Sequence, residues 1–310
     1  MNRRTTAYLY LLLVSVIWGA ASPVVKYTLT WLDPLLFLAY RFAISTAIAL
    51  PMLTISHAKL PRKTSDLWLL ILTGVLSAPL TLYLFFLALD NTTALSGSLI
   101  TATGPLLLVI GGMLLFREKI TKNEKIGIGI ALSGTLITII GPLSSVGYGN
   151  SLGKITGNSL MMLAVCADTL AALMSKKAVQ RGISPSLLSH SQFIIGLAIL
   201  LPIVLIQRSA PDIAVHLYSL PLPAHGGVFF MALISGSIAY TFRNRAIKSI
   251  EVSESALFTY LQPLWAAILA VLWLKEAITP AYIIGGIIIA IGVIIAEYKR
   301  KRRQKKHKML

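Results

Sequence analysis

The chain has 310 residues, of which 56% are hydrophobic and only 13% charged, and it carries a formal net charge of +17. A soluble domain carries about 25% charged residues, and here the charges fall between long apolar runs, which excludes a water-soluble fold. One cysteine, Cys166, forms no intrachain disulfide, and the histidines at 57, 190, 216, 225 and 307 have no metal-ligand spacing.

A transmembrane helix needs about 20 mostly apolar residues to cross a hydrocarbon core about 30 Å thick, and a helix satisfies its own backbone hydrogen bonds. Ten such spans are expected: 7–28, 34–55, 67–88, 93–115, 122–142, 155–178, 186–207, 224–245, 252–273 and 280–298. Span 1 begins like a secretory signal, with Asn2-Arg3-Arg4 and an apolar stretch, but Pro23 and Val24-Val25 favour an uncleaved helix. Helical spacing places Ser15, Trp18 and Ser22 on one line. Span 2 carries Arg41 about seven residues in; its charge suits snorkelling, a substrate carboxylate or an intramembrane acid. Span 3 offers Thr73, Ser77 and Tyr83, and span 4 offers Gly97, Ser98, Thr101 and Gly104 ahead of Pro105.

Span 5 follows Glu118 and the capping-box pattern Thr121-Lys122-Asn123-Glu124, and contains Gly127 and Gly134. Span 6 holds Asp168, with Thr169 beside it. Span 7 has Gln192 and Pro202, and span 8 has Ser237, Tyr240 and Asn244 on one line. Span 9 aligns Ser255, Thr259 and Gln262 ahead of Pro263. Span 10 follows Glu276 and Thr279-Pro280, a start signal for a helix, and contains Gly285 and Gly292. A carboxylate just before a helix is favoured by the amide dipoles there, so Glu118 and Glu276 read as structural, with gating as the alternative.

Asp168 is the sharpest residue, an acid near the middle of a span, where an aspartate costs about 2.5–3.5 kcal/mol. It needs a partner, water or a proton. Proton coupling or substrate contact competes with a static ion pair, for which Arg41 is the most obvious partner. Hydroxyls such as Ser22, Ser98, Thr101, Thr169 and Thr259 suit interhelical bonding as well as a cavity. Gln262 and Tyr240 favour a cavity, because large polar groups need water, ligand or a full set of partners.

With a cytoplasmic N-terminus, cytoplasmic segments hold 23 of the 28 Lys and Arg, including Arg243, Arg245 and Lys248 beside span 8 and the tail 299–310. This is the positive-inside pattern, and it puts both termini in the cytoplasm. The basic tail has no interleaved aromatics, so it anchors topology rather than nucleic acid.

Residue n matches residue n+158: Pro105 with Pro263, Glu118 with Glu276, Thr121 with Thr279, Gly127 with Gly285, and Gly134 with Gly292. A weaker register of 151 relates Asp33-Pro34 to Ser184-Pro185 and Phe42 to Phe193. The chain therefore reads as two five-span halves, 1–145 and 150–298. Five is odd, so the halves are expected to be inverted, with a site between them. The doubled P-x12-E-x8-G-x6-G, the early SVIWGAASPVVK and the DPLLFLAYRF of span 2 resemble the EamA branch of the drug/metabolite transporter superfamily. The resemblance implies an all-α integral membrane fold of ten transmembrane helices, two inverted five-helix repeats around a central cavity. It also implies export of small metabolites, often amino acids, through a cavity lined by helices 1, 3, 4, 6, 8 and 9, with helices 5 and 10 peripheral. Gln192 departs from the pattern, standing where span 2 has Arg41.

The expected function is export of amino acids or related small metabolites by alternating access at the cytoplasmic (inner) membrane, with proton entry as a candidate driving force. The expected substrate contacts are Trp18, Ser22, Tyr83, Ser98, Thr101, Thr169, Tyr240, Thr259 and Gln262, with Asp168 and Arg41 as coupling or ion-pair residues. Pro105, Glu118, Gly127, Gly134, Pro263, Glu276, Gly285 and Gly292 form the structural motif. No cofactor, metal or catalytic residue is expected, and the partners are a small molecule and the lipid bilayer, as a monomer or homodimer. A nucleotide-sugar or phosphorylated-sugar transporter needs several cavity cations, and only Arg41 is so placed. A membrane enzyme needs a clustered reactive set. A receptor or assembly protein remains the alternative of a different class.

Overall fold

The structure, a computed structural model, describes residues 3–55, 59–117, 121–141, 151–247 and 258–307. In chain order the helices are α1 (Arg3–Thr28), α2 (Pro34–Ile55), α3 (Thr64–Val75), α4 (Thr81–Asn91), α5 (Ala94–Thr101), α6 (Gly104–Phe116), α7 (Lys122–Ile140) and α8 (Ser151–Gln180). They continue with α9 (Pro185–Gln207), α10 (Ala210–Ser219), α11 (Leu222–Phe229), α12 (Ala239–Ile247), α13 (Gln262–Leu272) and α14 (Pro280–His307). Among the described residues there is no strand. Seven segments are long and apolar enough to span a membrane: Thr5–Thr28, Pro34–Ile55, Thr64–Asn91, Ala94–Phe116, Lys122–Ile140, Lys154–Gln180 and Pro185–Gln207. Gln262–Leu272 and Pro280–Ala296 are shorter apolar helices.

The helix starts follow from side-chain caps. Asp33 accepts from the backbone N–H groups of Leu35 and Leu36 at 3.1 and 3.0 Å. Ser184 caps α9 through Leu187. Thr121 and Glu124 form the reciprocal capping box, and Thr279 accepts from Tyr282 at 3.2 Å. The 208–223 segment, expected to be a link, contains α10. Ser209 caps it, Pro211 fits its first turn, and no residue of it is buried. This short amphipathic helix bends by 106° into the helix that follows. Its polar and apolar residues alternate too finely to register as a span.

Two irregularities recur in both halves. A π-helical stretch joins α3 to α4 at Leu76–Leu80, around Pro79, and another joins α11 to α12 at Phe230–Ile238. The 158 register places the first on residues 234–238 of the second. Likewise a two-residue turn interrupts the chain at 102–103, just before α6, and at 260–261, just before α13. Pro105 and Pro263 each sit in the first turn of the helix that restarts, where a missing N–H costs nothing. Pro51 and Pro202, by contrast, lie inside continuous helices.

The tightest seam joins α7 and α14, and it is made by the motif glycines. A Cβ on Gly134 would come within 2.8 Å of the Gly285 carbonyl oxygen. One on Gly292 would come within 2.5 Å of both the Gly127 carbonyl oxygen and the Ala131 nitrogen. Gly127 faces Gly292, Gly134 faces Gly285, and Gly141 faces Ala281. One number falls as the other rises, so the helices are antiparallel. Small residues permit this backbone approach, which dispersion then rewards. The glycines thus serve packing within the chain. On the other side of the bundle, Phe42 and Phe193, matched in the 151 register, touch across α2 and α9 with ring centroids 6.3 Å apart.

The halves also exchange helices. α1 packs on α12 and α13, while α8 packs on α4 and α6. Gly19 lets α1 close onto Gln262 and Trp265, and Trp265 Nε1 donates to Ser15 Oγ at 3.1 Å. Substituting Gly292→Ala is expected to cost about 1–3 kcal/mol by overpacking. Gly129→Ala, which meets nothing within 4 Å, is expected to gain about 0.5–1 kcal/mol from helix propensity. Thermal melting of the detergent-purified variants reads both.

Candidate functional site

Asp168 is solvent-exposed, although many protein atoms lie around it. The helical wheel resolves this. Leu163, Cys166 and Leu170 are exposed on the lipid face of α8, and a 100° step per residue puts Asp168 about 150° away from them. Asp168 shares its side of the helix with Ala164 and Ala171, each 2% exposed, and with Ala172, which is exposed. Its accessibility is therefore on the side of α8 turned away from Leu163, Cys166 and Leu170.

Among the described residues Asp168 has no direct ion pair, and the charge that acts on it is that of Arg243 on α12. Arg243 shares a helix face with Ala239 and Ala246, both fully buried. Ala246 packs with Ala7 and Leu11 of α1, so Arg243 points into the bundle. Its guanidinium carbon lies 5.9 Å from the centroid of the Trp18 ring, within cation–π range. Trp18 is held in turn, because its Nε1 donates to the Ser235 carbonyl at 3.2 Å. Ser235 belongs to the second π stretch, whose widened turn can present a carbonyl to a side chain. Trp18 is ten residues from the end of α1, or about 15 Å along the helix. Arg243 therefore serves the bundle interior, which corrects its place among the cytoplasmic topology charges. α8 and α12 share no packed seam.

Arg41 is not the partner of Asp168. It is 5% exposed, with its guanidinium carbon 6.0 Å from the Phe86 ring centroid and one terminal nitrogen beside Gly236. Arg41 thus lies between Phe86 of α4 and Gly236 of the π stretch.

The remaining expected contacts are dispersed. Ser22 and Ser98 are buried at 5% and 4% exposure. The hydroxyls of Ser98, Thr101 and Thr169 donate to the carbonyls of Leu95, Ser98 and Val165, each at 2.8 Å, a local bond that satisfies them within their own helices. Tyr83, Thr259 and Gln262 are half-buried. The side chain of Tyr240, and Ser255 and Glu118 entirely, lie outside the described residues. The structure thus brings Trp18 and Asp168 around Arg243, which the sequence suggests only as a topology charge. The signal was present: the 158 register sets Arg243 on Phe85, an apolar position inside a span.

Glu276 does not sit at its own helix start. Its carboxylate accepts from the backbone N–H groups of Ala94 and Leu95 at 2.7 and 3.0 Å, the amino end of α5 in the other half. Lys26 donates to the Leu89 and Asp90 carbonyls at 2.6 and 3.1 Å, at the end of α4. A cleft lined by Thr92, Ser96, Lys154, Thr279 and Tyr282 lies at this level, about 21 Å along α8 from Asp168. Charge-assisted bonds to backbone N–H groups contribute about 1.5–3 kcal/mol. Glu276→Ala should therefore lower the melting temperature clearly, and Glu276→Gln should lower it less.

The sequence profile of the EamA-like transporter family matches residues 5–140 and again 155–298. A Bacillus subtilis protein named uncharacterized transporter YyaM is 26% identical over 293 residues, covering 93% of this chain and 92% of the relative. Uncharacterized transporter YetK of the same organism is 27% identical over 307 residues, covering 97% and 90%. A solved crystal structure superposes with a TM-score of 0.64 at 16% identity, covering 96% of this chain and 99% of the other, which shows the shared fold.

Proposed function

The chain belongs to the EamA-like transporter family of the drug/metabolite transporter superfamily, and from that premise we propose that this membrane transporter exports amino acids or related small metabolites by alternating access. The proposed scaffold has ten spans in two inverted five-helix halves, 1–145 and 150–298, with a basic tail at 299–310. Four features support it: the antiparallel glycine seam, the paired turns before Pro105 and Pro263, the π stretches in both halves, and the exchange of α1 and α8 between halves. Two similar halves of opposite orientation can trade conformations, opening the site between them first to one side and then to the other.

The observation that carries the reading is the exposed carboxylate of Asp168 on the inward side of α8. In this proposal both termini are cytoplasmic and the membrane is the cytoplasmic one. Asp168 takes a proton from outside as substrate leaves and releases it inside as the next substrate binds. A phosphorylated-sugar or nucleotide-sugar substrate fits less well. Among the described residues Asp168 and Arg243 offset one another, which leaves no surplus positive charge there for phosphate.

Uptake of labelled amino acids into proteoliposomes, with and without an imposed pH gradient, tests the reading. Wild-type protein should move at least one amino acid faster when the gradient is present. Asp168→Asn should fold normally and lose that acceleration; full gradient-driven flux in the variant would remove the coupling role. Bulky replacements at Thr101 or Thr259 should slow transport at least tenfold, while Gly129→Leu, on the exposed face of α7, should not.

A further inference from the structure

We propose that Arg243 and Asp168 are the two poles of a binding site for a dipolar substrate, with Arg243 taking its carboxylate and Asp168 its ammonium group. This rests on the exporter reading above and names the recognising groups.

The argument begins with placement. Arg243 lies on the inward face of α12, between two fully buried alanines one turn away on either side. A guanidinium there needs a compensating charge or hydrogen bonds. What it has is the face of Trp18, 5.9 Å from its central carbon. That ring is pinned by its bond to the Ser235 carbonyl. Among the described residues the N–H donors of Arg243, the part that grips a carboxylate with two parallel bonds, have no hydrogen-bond or ion-pair partner.

Asp168 supplies the opposite pole. It lies on the inward side of α8 and feels the charge of Arg243, yet among the described residues the two form no direct ion pair. A pair kept for stability would be in contact, because two charges in a low-dielectric interior gain most at contact. Two opposite charges held apart leave room for a molecule that carries both signs. Such a molecule satisfies both poles at once, and a singly charged one leaves a pole uncompensated.

The internal repeat argues in the same direction. Arg243 falls on Phe85 in the 158 register, and Asp168 falls on Ile17, beside Trp18, in the 151 register. The first half is uncharged at both places, so the scaffold does not require the charges. They are additions to the second half alone. Trp18 then has two tasks, to orient Arg243 and to form an apolar wall beside the substrate.

The test uses the intact protein in detergent. Binding of each of the twenty protein amino acids, tritium-labelled, is measured by scintillation proximity, and the tightest is compared with its own amide and its N-acetyl derivative. Wild-type protein should prefer the free amino acid at least tenfold over both. Arg243→Gln should bind the free amino acid and its amide equally, and Asp168→Asn should bind the free amino acid and its N-acetyl form equally. Arg243→Lys, which keeps the charge and loses the fork, should show a reduced preference for the free acid over the amide. It also serves as the readout should Arg243→Gln not purify as a monodisperse protein. Variants that are less stable but keep the wild-type preferences would overturn the proposal and leave the exporter reading standing. If no amino acid binds or is transported by the wild-type protein, the exporter reading fails, and the dipolar site falls with it.

Discussion

Backbone meets backbone where α7 crosses α14, and the remaining architecture is arranged around that contact. In lipid no hydrophobic effect drives one helix against another, so helices associate through close packing and hydrogen bonds. Gly127, Gly134, Gly285 and Gly292 remove the side chains that would hold these two helices apart. The pairing is reciprocal, and equivalent positions in the two halves face each other in opposite order. A seam of this kind accommodates two similar halves only when their equivalent helices run in opposite directions. The exchange of α1 and α8 then gives each half a helix embedded in the other. Glu276 adds a third tie, reaching from the second half to the amino end of α5.

Much of this was readable from the letters, because it follows from local rules. The capping box at Thr121, the start at Thr279-Pro280, and the breaks before Pro105 and Pro263 are decided within a few residues of chain. The glycine spacing predicted one smooth face on each of spans 5 and 10. Which surface it would meet was not legible, since seven-residue spacing suits a second copy as well as a second helix. Glu276 shows the same limit: a carboxylate before a helix start suggests that helix, and the three-dimensional fold delivers it to another one. α10 escaped because ten residues with a polar face do not resemble a span.

Arg243 is the instructive failure. Charges near a span end are naturally counted as topology signals, and Arg245, two residues further on and exposed, fits that description. A helical wheel separates them, because Arg243 falls in line with Ala239 and Ala246. An aspartate in the middle of a span is costly in the membrane, and the sequence points to Arg41 on α2 as its partner. Arg41 proved to be directed toward Phe86 and Gly236, where the π stretch of the second half passes. Sequence order gives no access to such directions, which depend on how α1 and α8 cross between halves.

The proposed inverted arrangement has one direct measurement. Cysteines are placed singly at Lys122 and at Ala277, both exposed, in a protein whose own thiol is removed by Cys166→Ser. Each is challenged in sealed, oriented membranes with a maleimide that does not cross lipid. The account predicts that position 277 reacts from outside intact cells and that position 122 reacts only in inverted vesicles. Labelling of both positions from the same side would contradict it.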